Sequence, residues 1–468
     1  MPRISSRTAA SLILALTALS GELPALSATT RFPADNATSV CADTPLKITF
    51  DAAPTIGTTG TVKIYQSGGT LVDTLDLAVP QTRTAGGTTY NSHHVLVMGN
   101  TASIFPHSGV LAYNTTYHVT IDASVFTGYA GISANSPWRF TTKSAAPSAS
   151  ATCFNVAADG SGDFCTLQGA VDFIPAANTT KRRINIRNGI YQEVVRVSSK
   201  HHLAFRGENR KRTIIAYPNN GDLNASTNTR PLFNVVADDV SFDNLTLHNT
   251  TPDGGSQAEA LRVNARRCVV SNCDLRSYQD TILVNSATDT AYFKDSLIEG
   301  DVDFIWGAGR AVFQSCEIKS LSGGYVCAMR NPAGQYGAVF LDCRFTRSAG
   351  VTGVVFGRVD PNVYPASAVA VVNCAVDAHI SATGWTLSAP GPTTQLRYWE
   401  YRSTDRSGAP LDVSGRAPFS SQIHSTQAAA LRNLATTFGG WTPMPPQPAI
   451  PGAEGEETNT RGGRGGDL

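Results

Sequence analysis

Short apolar runs separated by polar corners recur through the middle of the chain. Six segments align with one another: DVSFDNLTLH at Asp239, RCVVSNCDLR at Arg267, TAYFKDSLIE at Thr290, RAVFQSCEIK at Arg310, GAVFLDCRFT at Gly337 and AVAVVNCAVD at Ala368. Their starts are spaced by 28, 23, 20, 27 and 31 residues, so the unit is a coil of roughly twenty-odd residues with loops of variable length. Self-similarity at such a period points to a solenoid. Each unit holds two or three short β runs and no helix, which selects a parallel β-helix. Residues at one phase of successive coils then stack at the ordinary strand spacing, about 4.7–4.9 Å.

The flanking sequence predicts what closes this solenoid. Within AADGSGDFCTLQGAVDFIP, residues Leu167, Ala170, Val171 and Ile174 fall at i, i+3, i+4, i+7. A short amphipathic helix there covers the first coil, which otherwise exposes apolar residues and unpaired backbone. INIRNGIYQEVVRV (Ile184–Val197) and HLAFRGENRKRTIIAY (His202–Tyr217) supply the first strand pairs, and the coils run to about Ala382. STQAAALRNLATTF (Ser425–Phe438) reads as one helix capped by Ser or Thr. Upstream, LKITF (Leu46–Phe50), TVKIY (Thr61–Tyr65), TYHVTI (Thr116–Ile121) and WRFTT (Trp138–Thr142) alternate between turn-rich clusters. They predict a small β-sandwich over residues 31–143. SAAPSASAT (Ser144–Thr152) is a linker, residues 153–443 form the solenoid domain, and the Pro-, Gly- and charge-rich residues 444–468 are expected to be disordered.

Residues 1–28 have the pattern of a secretory signal: Arg3 and Arg7, an apolar run from Ala9 to Leu19, and small residues with a cut after Ser27 or Ala28. The run is shorter than the roughly 20 apolar residues a membrane span needs. A secreted or periplasmic protein with no membrane partner is expected. A net charge of +1 and 16% charged residues argue against nucleic acid or an anionic membrane as main partner. Nine cysteines in an exported chain invite disulfides. Yet Cys273, Cys316, Cys343 and Cys374 share one column of the repeat with Leu245 and Ser296, as an interior ladder of small hydrophobes would. Cys153 and Cys165, near the cap, are a candidate bridge. No Cys/His clustering of metal-site type is present, and adjacent His93 and His94 point to opposite faces of a strand.

The candidate chemistry lies between Gln257 and Gly307. Asp280 in SYQDTILVN and Asp303 in GDVDFIWG are 23 positions apart, one coil, and each precedes a strand-forming run. Stacked on one face, two such carboxylates do not both ionise cheaply, and the pair titrates as a unit.

GSGDFCTLQGAVD, INIRNGIYQEVVRV, QAEALRV, YQDT, GDVDFIWG and the GR at Gly357–Arg358 follow in this order between Cys153 and about Pro443. In these motifs the chain resembles the pectin methylesterase (pectinesterase) family. FPADNATSVCADTPLKITFD, opening the first module, resembles bacterial Ig-like domains attached to exported enzymes. The resemblance implies an all-β chain: a right-handed parallel β-helix, a pectin lyase-like solenoid, behind an Ig-like sandwich. It implies a monomeric carboxylic-ester hydrolase that removes methyl esters from the galacturonate units of pectin without metal or organic cofactor. Carried over by position, Asp303 is the nucleophile, Asp280 the general acid/base, and Gln257 and Gln279 stabilise the oxyanion. Arg358 holds the nucleophile, and Tyr278 and Trp306 lie near the sugar cleft. The chain departs from the family where Gly-Arg-Pro-Trp is usual: it has GRVDPNVY, with Asp360 in place of the cleft tryptophan. Trp385 and Trp399 are further candidate sugar platforms.

The expected charge logic is simple. A guanidinium on Asp303 keeps it ionised, so Asp280 carries the proton. Two carboxylates about 5 Å apart also suit a retaining glycosidase, but a glutamine pair serves an oxyanion rather than an oxocarbenium ion. A non-catalytic carbohydrate-binding surface protein, displayed on its Ig-like arm, is the third reading.

Overall fold

The computed structural model describes residues 25–444; the expectations for the signal segment 1–28 and the tail 444–468 fall almost wholly outside them. Alternating burial builds the first domain, as in Leu46–Phe50, where Leu46, Ile48 and Phe50 point inward. One sheet runs Ala28–Phe32, Leu46–Phe50, Thr101–Ile104, Val95–Met98, all antiparallel. The facing sheet runs Ala37–Val40, Trp138–Thr142, Thr116–Ile121, Thr61–Gln66, Leu71–Asp76. Their inner faces enclose Trp138, Tyr117, Phe126 and Phe140 in a β-sandwich.

From Cys153 onward every sheet ladder is parallel. Eleven strands, from Cys153–Val156 to Ser420–Gln422, stack as one sheet. A second, fourteen-stranded sheet wraps the other sides. Its ladders merge where Leu297–Gly307 and Glu317–Met329 run on as long strands. The chain is a parallel β-helix, as the repeat requires.

Each coil turns at a left-handed residue: Asn244, Asn272, Asp295, Ser315, Asp342, Asn373 and Arg402, with φ between 50° and 61°. Asn and Asp tolerate this region better than other side chains, which explains the polar corner in each repeat. The next residue points inward. It forms the column Leu245, Cys273, Ser296, Cys316, Cys343, Cys374, each at most 1% exposed. Burial pushes the Cys273 thiol up to about 12, as expected of a core thiol. A neighbouring column stacks aromatic rings, with Phe313 lying 4.6 Å from Phe293 and 4.9 Å from Phe340.

Helices close and flank the solenoid. Leu167–Phe173 packs Leu167, Ala170 and Val171 over the first coil, and Thr166 caps it by accepting the Gly169 N–H at 3.0 Å. The expected single helix over 425–438 is two, Ser425–Arg432 and Leu434–Phe438. Asn433 breaks it and caps the second by accepting from Thr436, because Asn offers the backbone a non-helical partner. His424, rather than Ser or Thr, holds the first cap position, its N–H bonded to Gln427 Oε1 at 3.0 Å. Ala428, Leu431 and Phe438 cover the outer face of the eleven-stranded sheet, which leaves the opposite side for the site.

The two domains are docked. Ala85 and Tyr90, on the hairpin Gln81–Ala85/Thr88–Ser92, join the core of the β-helix. Asn91 and Asn224 exchange two hydrogen bonds of 2.9 Å, and the His93 N–H donates to Tyr217 Oη at 2.8 Å. All nine cysteines are thiols here. Cys165 lies against Cys41 of the first domain rather than Cys153, whose sulfur accepts from Asn185. The expected Cys153–Cys165 bridge therefore does not match the structure: the junction between domains supplies the nearer thiol.

Phe313→Ala removes the middle ring of a buried stack and should cost about 3–5 kcal/mol. Equilibrium unfolding in denaturant checks this, and an unchanged midpoint contradicts the stacking account.

Candidate active site

Strict register builds the site. Leu261 pairs with Ile282, and Ile282 with Ile305. Glu259, Asp280 and Asp303 each lie two residues before these positions, so three acids stand at one phase of three successive coils. Backbone bonds lock the coils there: Ala258 N–H to Gln279 O at 3.2 Å, and Asp280 N–H to Val302 O at 3.1 Å. Asp280 and Asp303 both adopt left-handed backbone, φ 67° and 51°. Both are corner positions of the coil, and Asp tolerates this region better than most side chains.

The acids differ in their cations. Arg358 donates from Nε to Asp303 Oδ1 at 2.8 Å and from Nη2 to Oδ2, a bidentate pair. Its guanidinium lies 4.5 Å from the Tyr325 ring centroid. The bond to Asp303 raises the Arg358 pKa. Ala328 separates Trp306 from Arg358 in the register, so only a methyl group stands between them. Arg230 is shared. It donates to both Glu259 oxygens at 2.7–3.1 Å and from Nη2 to Asp280 Oδ2 at 3.0 Å. Three carboxylates thus face two bound guanidiniums.

The surplus charge falls on Asp280. Burial first, then the Glu259 carboxylate, raise its pKa to about 8; Arg230 opposes this, and Asp303 adds to it. Glu259 is raised by its own complete burial and pulled back by Arg230. Near neutrality Asp280 carries the proton.

The remaining predicted residues surround this pair. Gln257 and Gln279 are half-buried, and among the described residues neither side-chain amide bonds to the protein. Gln257 Oε1 would be only 3.1 Å from a Cβ on Gly221, so a glycine lets that loop pack on it. Tyr278 is half-buried and its carbonyl accepts the Asp301 N–H at 3.0 Å. Trp306 is only 7% exposed, between Leu283 and Ala328, with the Arg330 guanidinium 4.6 Å from its ring centroid. It is a wall of the site more than an open platform.

Trp385 is buried against Phe356 and Tyr398, and Trp399 lies beside Tyr336 on the eleven-stranded sheet, away from the acids. Trp385, 2% exposed, has no face free for a sugar. Asp360, where the family tryptophan was expected, makes a turn by accepting from Asn362. Tyr364 places a ring 5.4 Å from Arg330 instead.

Sequence reasoning missed Glu259, Arg230, Arg330 and Tyr325. Glu259 was detectable, since it precedes its strand as the two aspartates precede theirs. Arg230 comes from a loop outside the repeat and had no such signal.

The sequence model of the pectinesterase family matches residues 154–438, more than half of the chain. The chain belongs to the pectinesterase family. Residues 24–142 match a bacterial Ig-like domain. Pectinesterase 31 of Arabidopsis thaliana is 33% identical over 243 residues, covering 49% of this chain and 75% of that protein. The solved pectin methylesterase from carrot superposes with a TM-score of 0.56 at 26% identity, over 63% of this chain and 95% of that one. A pectin methylesterase solved in complex with a hexasaccharide shares the fold, with a TM-score of 0.52 at 24% identity over 62% and 98% of the two chains.

Two pH effects follow from Asp280. Its folded pKa is raised, so the stability it contributes is present below the usual carboxylate pKa and is lost as pH rises toward about 8. Asp280→Asn should therefore raise Tm by clearly more at pH 9 than at pH 5; an equal shift at both rules out the raised pKa. Glu259→Gln removes a raising charge and frees Arg230 for Asp280. The alkaline limb of the pectinesterase pH–rate profile should move to lower pH, and a shift upward contradicts the assignment.

Proposed function

We propose that this site hydrolyses pectin methyl esters with Asp303 as nucleophile and Asp280 as proton carrier. One observation supports the division of labour: Arg358 grips Asp303 with two hydrogen bonds, whereas Asp280 shares its arginine with Glu259. A carboxylate gripped and oriented by a bidentate arginine is a competent nucleophile, and a carboxylic acid of pKa about 8 is a competent proton donor.

In this mechanism an Asp303 oxygen attacks the ester carbonyl of a galacturonate methyl ester. The carbonyl oxygen becomes an oxyanion, to which the unengaged amides of Gln257 and Gln279 donate; an uncharged donor leaves the charges of Asp303 and Arg358 undisturbed. Collapse breaks the bond to methoxide, which leaves as methanol with the Asp280 proton. The product is an acyl anhydride on Asp303 and an ionised Asp280. Asp280 then takes a proton from water, whose oxygen attacks the galacturonyl carbonyl. The product departs as a carboxylic acid that gives its proton to solvent, and Asp303 and protonated Asp280 are restored. Glu259 and Arg230 position and tune Asp280, and Trp306, Tyr278 and Tyr364 line the approach.

The polymer bound is methyl-esterified polygalacturonate, in keeping with the hexasaccharide held by a pectin methylesterase of this fold. The chain acts after export, in keeping with the secretory pattern of residues 1–28. No helix among the described residues is long and apolar enough to cross a membrane.

Methanol release from highly methylated pectin, measured beside new reducing ends, tests the reading. Wild type should release methanol without reducing ends. Asp303→Asn should lose about 10⁴-fold or more in kcat, Asp280→Asn about 10²–10⁴-fold, and Gln279→Ala about 10²–10³-fold. Full activity in Asp303→Asn, or reducing ends in place of methanol, overturns it.

A further inference from the structure

Two cysteines at the domain junction have no part in ester hydrolysis. Cys41 follows the Ig-like strand Ala37–Val40, and Cys165 immediately precedes Thr166, the cap of the helix that closes the solenoid. Their Sγ atoms and a carboxylate oxygen of Asp43 lie within 4.8 Å of one another, and both thiols are buried.

The approach is fixed by backbone, not by chance side-chain placement. The Asp43 carboxylate accepts the Cys165 N–H at 3.0 Å, the Thr166 N–H at 2.8 Å and the Thr166 hydroxyl at 2.7 Å. A Cβ on Gly169 would be 2.3 Å from Asp43 Oδ2, so glycine is required for this contact. Cys41 Sγ lies 3.8 Å from the carbonyls of Gly160 and Gly162, and the Lys143 ammonium bonds the Gly162 carbonyl. The Cys165 thiol and Lys143 beside Cys41 hold its pKa below the ordinary thiol value, which favours the reactive thiolate.

We propose that Cys41 and Cys165 form a disulfide in the exported protein, tying the Ig-like domain covalently to the cap of the β-helix. The step is thiol–disulfide exchange with a low-molecular-weight or protein disulfide. Cys165, the thiol that lines the cavity, attacks one oxidant sulfur, expels the other as a thiolate and forms a mixed disulfide. The Cys41 thiolate then attacks Cys165 Sγ and expels the second oxidant sulfur. Two cysteine thiols are oxidised, one oxidant disulfide is reduced, and the two protons pass to the departing thiolates.

Cys165 lines a cavity of about 440 Å³ between the domains, which gives an oxidant access. The ladder thiols Cys316, Cys343 and Cys374 are sealed in the solenoid core. A metal ion suits the junction less well. The cluster has three donors, whereas structural zinc takes four. The Asp43 oxygens are already occupied, and Lys143 adds a positive charge.

The full chain, reduced and then treated with oxidised glutathione, gives the test. Alkylation under denaturing conditions should modify seven of nine cysteines, and peptide mapping should find Cys41 joined to Cys165. After proteolysis within Ser144–Thr152, the fragments should stay together on a non-reducing gel and separate with reductant. Cys41→Ser or Cys165→Ser should release them without reductant while pectinesterase activity persists. Nine alkylated cysteines, a Cys153–Cys165 peptide, or one zinc per chain shielding both thiols until chelation would overturn the proposal. Peptide mapping needs only the wild-type chain, so a variant that fails to fold leaves the question decidable.

Discussion

The parallel backbone ladder is the constraint on which everything else rests. Once Leu261, Ile282 and Ile305 are hydrogen-bonded in register, every residue at a given phase has its neighbours assigned. A slip of one residue would turn each side chain to the other face, scattering the core columns and the three acids together. The same ladder that stacks Phe293, Phe313 and Phe340 inside therefore stacks Glu259, Asp280 and Asp303 at one phase of the coil. Stability and chemistry share one set of backbone bonds.

Electrostatics then makes the stacked acids unequal. Carboxylates one coil apart repel, and burial disfavours charge on each of them. The arginines arrive from different places: Arg358 from a later coil, across the gap left by Ala328, and Arg230 from a loop on an earlier one. Distance along the solenoid decides which acid each can reach. Asp303 receives a whole guanidinium, Asp280 part of one, and the proton follows.

Much of this was legible in the sequence because a coil repeats its own requirements. Polar left-handed corners, the inward Cys/Leu/Ser column and the 23-residue offset of Asp280 and Asp303 are local features that recur, so alignment of the chain with itself exposes them. What lies outside the repeat was not legible. Arg230 sits in a loop whose length no other coil shares, and nothing nearby shows that it will turn toward Glu259. The burial of Trp306 beneath Arg330, and of Trp385 in the core, depends on neighbours distant in sequence. Asn433 carried a readable signal, but the apolar period across 425–438 masked the break.

The Ig-like domain, seated on the Leu167–Phe173 cap through Asp43 and on the first coils through Asn91 and His93, bears on the order of assembly. Domains generally fold as units, amino end first, as a chain is delivered. A solenoid that arrives that way meets a finished abutment before its first coil forms, so growth proceeds from a fixed end in one direction. The unpaired edge that would recruit a second chain is then always the newest coil, until the carboxy-terminal strands complete the stack.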